Sequence, residues 1–525
     1  MLPFLDSLVN RLGGQAEGII VRHENEVYLQ LRNSDSRAAI FILRSERQAR
    51  VAAVFAEDRR SSEDCFLVHH VLELPRNPCY LLVSTRIDKA KPRFPSHSVV
   101  VPALNWQERE IQDMFGIQLD EHPNPRRVAL HDNWPDVHPL RKDFDLATVL
   151  PEFEGERHVY RPALGEGVFQ IPVGPVHAGI IEPGHFSFAV AGEPILYLQL
   201  RMFYTHKGTE KLFEGMPVGK AVFLAESISG DSSFSHGTAF CQAVERAGAI
   251  ELPPLAARMR TILLELERVY NHVADIGALA TDVGFGIANA HAGRLREMIF
   301  GLNEVLTGNR LLRGMVRIGG VRRKWNESQL SALRLTIREF ESEFRRLLDL
   351  ILSSDSTRDR LERTGVLRPA KARDLGIVGV AGRASGVDLD VRRDHPYAAY
   401  SELEINPPVY DAGDVWHRMQ VRIDEVPASL NMISELLDSN LRGDPYNPSN
   451  GVPPDSCALS SVEGWRGEIM HWIRVGEDNQ LERCKIKDPS LNNWPALVEA
   501  VQGNIIPDFP VINKSFNLSY SGTDR

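Results

Sequence analysis

The sequence predicts an α+β domain at the N-terminus, followed by a mainly α-helical domain with small β elements. Three observations lead there. The first hundred residues hold short β-rich runs, "GIIVRHENEVYLQL" and "CYLLVSTRI", around a segment, "SRAAIFILRSERQARVAAVF", compatible with strand or helix. Beyond Pro253 the apolar spacing becomes helical: Met259, Ile262, Leu263, Leu266, Val269, Val273 and Ile276 form an i, i+3, i+4 stripe. With 525 residues, 43% hydrophobic and 25% charged, the chain can bury more than one core.

In chain order, residues 1–150 form the α+β domain. It ends in the Pro- and His-rich run "NWQEREIQDMFGIQLDEHPNPRRVALHDNWPDVHPLRKDF". The boundary falls near residue 150, where "ATVLPEFEGERHVYRP" reads as a linker, and residues 151–525 form the second domain. That domain starts with β structure from Gly167. Helices are expected at Ala290–Thr307, Glu327–Leu352 and Val426–Leu437, and β structure returns at "GEIMHWIRV".

The formal charge of −10 is dispersed along the chain and speaks against a nucleic-acid partner. No apolar run approaches 18 residues, and the N-terminus carries Asp6 in its apolar stretch without a basic start. A cytoplasmic chain follows, free to sit peripherally on a membrane complex. The five cysteines, Cys65, Cys79, Cys241, Cys457 and Cys484, include no C-x-x-C pair. That argues against a disulfide framework and against a four-thiolate zinc or iron–sulfur site.

Four stretches hold polar groups that the secondary structure does not require. "GPVHAGIIEPGHF" presents His177, Glu182 and His185, either a proton relay or a polar hairpin tip. "HKGTEKLFEG" presents Glu210 at a charged helix start. "ESISGDSSFSHG" presents Ser229, Asp231, Ser232 and His236, which suit capping of the following helix. The tail "INKSFNLSYSGTDR" sets Ser519 and Gly522 three apart, in what also reads as a fraying terminus. In addition, Glu265, Arg268, His272 and Asp275 share one helix face, as surface ion pairs or as a buried network.

The order and spacing of these pieces resemble the [NiFe]-hydrogenase large subunit. That family reads RGxE, sixteen residues, then RxCGxC. Here Lys207-Gly208-x-Glu210 is followed by residues 211–226 and "SISGDS". Ser229 and Ser232 stand where the first two cysteines would, and Ser519 and Gly522 where the C-terminal pair would. "EREIQDMFGI", "HPNPRR" and "HPLRKDF" resemble the complex I 30 kDa subunit. "RTILLELERVYNHVADIGALATDVG", "GRASGVDLDVR", "VEGWRGEIMHWIRV" and "KIKDPSLNNWPAL" resemble the 49 kDa subunit. Their fusion is similar to the large subunit of formate hydrogenlyase and hydrogenase-4 type complexes.

The resemblance implies a subunit on the inner face of the cell membrane. Its partners would be a small iron–sulfur subunit, a membrane anchor and ion-translocating subunits. Nickel needs soft thiolates, and serine hydroxyls do not ionise enough at neutral pH to replace them, so no nickel is expected. The tyrosine that quinone-reducing relatives place after the first cysteine position is Gly230 here. Glu182 takes the position of the family's proton-transfer glutamate. Glu210 takes that of a magnesium-binding carboxylate, whose histidine partner has no counterpart up to Arg525.

Three readings follow, in order of preference. In the first, electrons pass from the partner's cluster to a quinone-like acceptor in the former nickel cavity. Glu182 and His185 supply protons, and His177, Ser229, Asp231, Ser232 and His236 line the cavity. The second is a redox-silent scaffold and coupling subunit, and the third an active hydrogenase. A retained cavity distinguishes the first reading, and a cavity filled by side chains the second. Direct NADH binding is not expected, since no G-x-G-x-x-G joins a strand to a helix.

Overall fold

The segment that the sequence leaves open between strand and helix contains one of each. Ser36–Arg47 is helix α1 and Arg50–Arg59 is strand β3, with Gln48 at φ 55° in the turn between them. The computed structural model describes the chain apart from residues 1–5, 7, 8, 12–15, 24, 33–35, 75–78, 179, 180, 440, 449 and 450.

Strands β1 (Ala16–His23), β2 (Glu26–Arg32), β3, β4 (Cys65–Glu73) and β5 (Tyr80–Asp88) form one sheet in the order β1-β2-β5-β4-β3. Only β2 and β5 run parallel; the remaining pairs are antiparallel. Both faces are covered, which is why β3 and β4 are almost continuously buried rather than alternating. A short parallel pair, β6 (Arg93–Pro95) and β7 (Gln118–Asp120), brackets helix α2 (Asn105–Phe115).

From 121 to 167 the chain carries no helix or strand. Strands β8 (Val168–Val173), β9 (His185–Ala191) and β10 (Ile195–Arg201) then form an antiparallel sheet. The helical body follows, with α3 (Thr209–Phe213), α4 (Val218–Ala225), α5 (Ser233–Ala247), α6 (Pro254–Asp282) and α7 (Gly286–Thr307). After a small hairpin, β11 (Val316–Arg317) and β12 (Gly320–Val321), comes α8 (Glu327–Leu352), whose start is fixed by an Asn326/Gln329 capping box. Short helices α9 (Asp355–Leu361), α10 (Pro369–Asp374), α11 (Gly379–Arg383) and α12 (Val391–Asp394) lead to α13 (Val415–Asp438).

Helix α13 begins eleven residues before the expected Val426. A proline so close to that expected start, Pro427, suits a first helical turn and hides the longer helix. In the structure the Asp414 side chain caps the helix by accepting from His417 N, and the chain runs helically through Pro427. Its buried face packs on α6, and this outweighs the one lost hydrogen bond.

Strands β13 (Cys457–Gly464), β14 (Gly467–Val475) and β15 (Leu481–Lys487) form the last sheet. Helices α14 (Pro489–Ala500), α15 (Phe509–Phe516) and α16 (Tyr520–Asp524) close the chain. The β13–β14 hairpin covers the outer face of the N-terminal sheet, where Phe55 meets Trp472 at 5.0 Å between ring centroids. Buried ion pairs staple the two layers: Arg50–Glu468 at 2.8 Å, Lys485–Glu110 at 3.0 Å and Arg525–Glu110 at 3.0 Å. All five cysteines are buried and unbridged.

Candidate functional site

The turn before α5 and the turn before α16 lie side by side, so residues distant in sequence share one site. Ser229 Oγ and Ser519 Oγ are 2.9 Å apart and hydrogen-bonded. Ser229 and Ser232 both donate to Asp231 Oδ1, at 3.0 and 3.2 Å. Arg466, in the β13–β14 turn, grips the same carboxylate with two bonds of 2.6 Å. The guanidinium stacks on Trp465 at 3.9 Å and donates its Nε proton to the Asn517 carbonyl. Burial alone would raise the Asp231 carboxyl, but Arg466 and the two hydroxyls hold it below its ordinary range.

Ser232 occupies the N-cap position of α5 but makes no capping bond. Glu267 of α6 takes that role, accepting from Phe234 N at 2.8 Å and Ser235 N at 3.1 Å. Burial pushes the Glu267 carboxyl up to about 7. The cap thus comes from another helix, and Ser232 is left to the pocket, where Trp465 Nε1 donates to it at 3.1 Å.

The fourth position, Gly522, faces Asp488. A Cβ built at residue 522 would fall 2.5 Å from Asp488 Oδ2. Asp488 is fixed by Ser490 N at 2.7 Å and by His236 Nε2 at 3.1 Å, while His236 Nδ1 lies 3.0 Å from His471 Nε2. His236 therefore sits behind Asp488, fully buried, rather than on the pocket wall.

Glu182 reaches the site from the β8–β9 connection, where its carboxylate accepts from Ser521 N at 3.0 Å. Lys207 Nζ donates to Ser521 Oγ at 2.9 Å, and burial lowers its pKa. The Tyr520 hydroxyl is buried without a hydrogen-bond partner, and burial pushes its pKa up to about 12. His177 and His185 are employed in the hairpin itself: His177 Nε2 contacts the Gly184 carbonyl at 2.7 Å, and His185 Nδ1 contacts that of Gly174 at 3.2 Å. Gly179 and Ile180 of this loop lie outside the described residues.

Glu210 does not offer a magnesium site. Its oxygens meet Arg483 at 2.7 Å, Lys485 at 3.0 Å and Arg525 at 3.3 Å, and Ile486 N at 3.2 Å. Burial alone would raise this carboxyl, but those three cations hold it well below the usual range. A divalent cation needs oxygen ligands, and this carboxylate is surrounded by positive charge instead. The tail does not fray either. Asp524 accepts from Phe203 N and Thr205 N, both at 2.9 Å, and Arg525 is buried against Glu110 and Glu210.

The charged face of α6 is a buried network. Glu425 of α13 meets His272 at 2.7 Å, Arg268 at 3.2 Å and Arg383 at 2.5 Å. Glu265 meets Arg392 at 3.2 Å and accepts from Ser429 at 2.6 Å. Asp275 joins Arg422 at 2.8 Å and accepts from Asn517 Nδ2 at 2.6 Å. Since Asn517 also accepts from Arg466, the network continues into the pocket.

Nickel does not fit this arrangement. Of the four positions that the resemblance assigns to nickel ligands, three offer hydroxyls bonded to one another or to Asp231, and the fourth has no side chain and no space for one. Sequence reasoning missed Arg466, Asp488 and Glu267. The first two lie in the blocks "VEGWRGEIMHWIRV" and "KIKDPSLNNWPAL", but nothing local ties those blocks to residues some 230 to 250 positions earlier.

Residues 29–149 match the family model of the respiratory-chain NADH dehydrogenase 30 kDa subunit; residues 282–452 and 447–525 match that of the 49 kDa subunit. The chain is similar to formate hydrogenlyase subunit 5 of Escherichia coli, 36% identical over 482 residues, or 90% of this chain and 84% of that one. Hydrogenase-4 component G of the same organism is 35% identical over 90% of this chain and 83% of its own length. The NADH-quinone oxidoreductase C/D protein of Phocaeicola vulgatus is 28% identical over 85% of this chain and 89% of that one. Among solved structures, a chain of the membrane-bound sulfane sulfur reductase, an archaeal respiratory membrane complex, superposes with a TM-score of 0.65 and 27% identity. The match covers 69% of this chain and 99% of that chain.

Proposed function

The chain belongs to the family that joins the 30 kDa and 49 kDa subunits of respiratory-chain NADH dehydrogenase in one polypeptide, and we propose that it acts as a redox-silent scaffold and coupling subunit. Relatives and structural neighbours are named as parts of hydrogenase or respiratory complexes, at least one of them membrane-bound. No described helix is long and apolar enough to cross a membrane. In this reading the subunit is peripheral, on the inner face, packed against a small iron–sulfur subunit and ion-translocating membrane partners.

One observation supports the reading. The serines at the positions that the resemblance assigns to nickel ligands are hydrogen-bonded to each other and to the Asp231–Arg466 pair, so their hydroxyls are already engaged. The pair continues through Asn517 into the buried charges of α6 and α13, which supplies a contiguous path for electrostatic coupling. The test is Arg466→Met in native membranes, reading ions translocated per electron. The account expects that ratio to fall while electron flow persists. Flow and translocation lost in proportion would overturn it.

A second reading rests on the pocket rim. Gly230 is exposed, Asp231 is partly exposed, and the Tyr520 hydroxyl lacks a partner. In that reading electrons from the partner's cluster reach a quinone-like acceptor at this rim. Glu182 and His185 supply protons and Asp231 stabilises the acceptor, while His236 acts only from behind, through Asp488.

A further inference from the structure

The N-terminal domain holds a second cluster, separate from the pocket. His70 on β4, His97 in the turn after β6 and Glu108 in the first turn of α2 converge, with one ligand atom of each within 4.8 Å of the others. All three are fully buried. The imidazoles meet at 4.3 Å between ring centroids, and all four of their nitrogens lack a hydrogen-bond partner. Buried polar groups are seldom left unpaired, because desolvation without a partner costs roughly 1–3 kcal/mol each.

Glu108 adds a charge. Its carboxylate accepts from His97 N at 2.7 Å and Ser96 Oγ at 2.6 Å. Several buried carboxylates of this chain have an arginine or lysine (Glu57 has Arg474, Glu110 has Lys485, and Glu468 has Lys487), while Glu267 and Asp488 are held by N–H donors instead. Among the described residues the ionisable partners of Glu108 are histidines alone, His97 at 3.6 Å and His122 at 3.7 Å. Glu108 thus faces two buried imidazoles whose nitrogens make no hydrogen bond, a donor set whose chemistry suits a cation.

We propose that His70, His97 and Glu108 bind one divalent first-row metal ion, zinc being the expected occupant. Two imidazoles and a carboxylate suit zinc rather than magnesium or calcium. Ligands about 2.0–2.1 Å from a tetrahedral ion stand about 3.3 Å apart. His97 Nδ1 and Glu108 Oε1 are already at 3.6 Å, and small ring rotations close the rest. His122 supports the set from outside. Its Nδ1 accepts from Asn124 N at 3.0 Å, which leaves the proton on the Nε2 that faces Glu108. The ion would pin α2 and the β6 turn to the central sheet.

The test uses the untagged full chain, purified without chelator, with zinc read by elemental analysis. About one equivalent is expected, dropping to background in His70→Gln and Glu108→Gln. After removal of the metal, added Co²⁺ should give the visible absorption of a nitrogen/oxygen-ligated site. Folded wild-type chain that holds no stoichiometric metal and takes up no Co²⁺ overturns the proposal, whether or not the variants fold. Unchanged zinc in both folded variants overturns it equally, since the ion would then sit elsewhere.

Discussion

Gly522 and Asp488 compete for one space: a Cβ on residue 522 would lie 2.5 Å from Asp488 Oδ2, and Asp488 is held from behind by His236 and Ser490. Gly522→Ala should therefore cost about 1–3 kcal/mol by overpacking. Asp488→Ala should cost about 1 kcal/mol through the lost helix cap at Ser490. Because Asp488→Ala removes the carboxylate that a Cβ at 522 would meet, the double variant should be less destabilised than the sum by roughly 1 kcal/mol. Denaturant unfolding of all four proteins measures this, and strict additivity would count against the packing argument.

The Asp231–Arg466 pair should respond asymmetrically. Asp231 is 39% exposed at its side chain and Arg466 only 5%. An asparagine at 231 still accepts from the guanidinium and is reached by water at the rim, so Asp231→Asn should cost about 1 kcal/mol or less. Arg466→Met also removes the stack on Trp465 and the bond to Asn517, and should cost roughly 2–4 kcal/mol. Equal costs, measured by denaturant unfolding, would mean that the guanidinium does not organise the site.

Glu267 predicts a pH dependence. Burial raises its folded pKa to about 7 from an ordinary 4.5, so the folded state favours the neutral acid. Its contribution is complete below the ordinary value and fades as pH rises through about 7. Over that interval the loss is of order 3 kcal/mol. Glu267→Gln should flatten the stability profile in this window relative to the wild-type chain. A profile parallel to wild type would show that the carboxylate ionises freely.

Glu210 is the anion that holds Arg483, Lys485 and Arg525 together. Glu210→Gln should leave Arg483 without a carboxylate and Lys485 and Arg525 with Glu110 alone, and cost roughly 3–5 kcal/mol. Magnesium should not shift the melting temperature of the wild-type chain through this site. A magnesium-dependent rise that Glu210→Gln abolishes would restore the carboxylate as a metal ligand.

Much of this was legible in the sequence, and the rest was not for identifiable reasons. The stripe from Met259 to Ile276 marked α6 because a helix of that length must bury one face. Segment 36–55 is ambiguous because its apolar residues fit both periods, and α13 is cut short because Pro427 imitates a first-turn proline. At the pocket, the spacing pointed to Ser229, Ser232, Ser519 and Gly522, which the structure brings together. It could not show that Arg466 and Asp488 fill the space between them, since both come from a sheet edge fixed only by tertiary packing. Likewise, the α6 charges read equally well as surface pairs until Glu425 and Arg383 enclosed them.

The central claim is that the pocket around Asp231 and Arg466 does no redox chemistry. The direct measurement takes the complex from its native membrane, reduces the cluster of the proposed iron–sulfur partner at low potential without oxygen, and adds a short-chain quinone. The account predicts no reoxidation of the cluster beyond a quinone-free control. Rapid reoxidation that slows in Glu182→Gln, or with an inhibitor of the complex I quinone site, would contradict it and return the pocket rim to electron transfer.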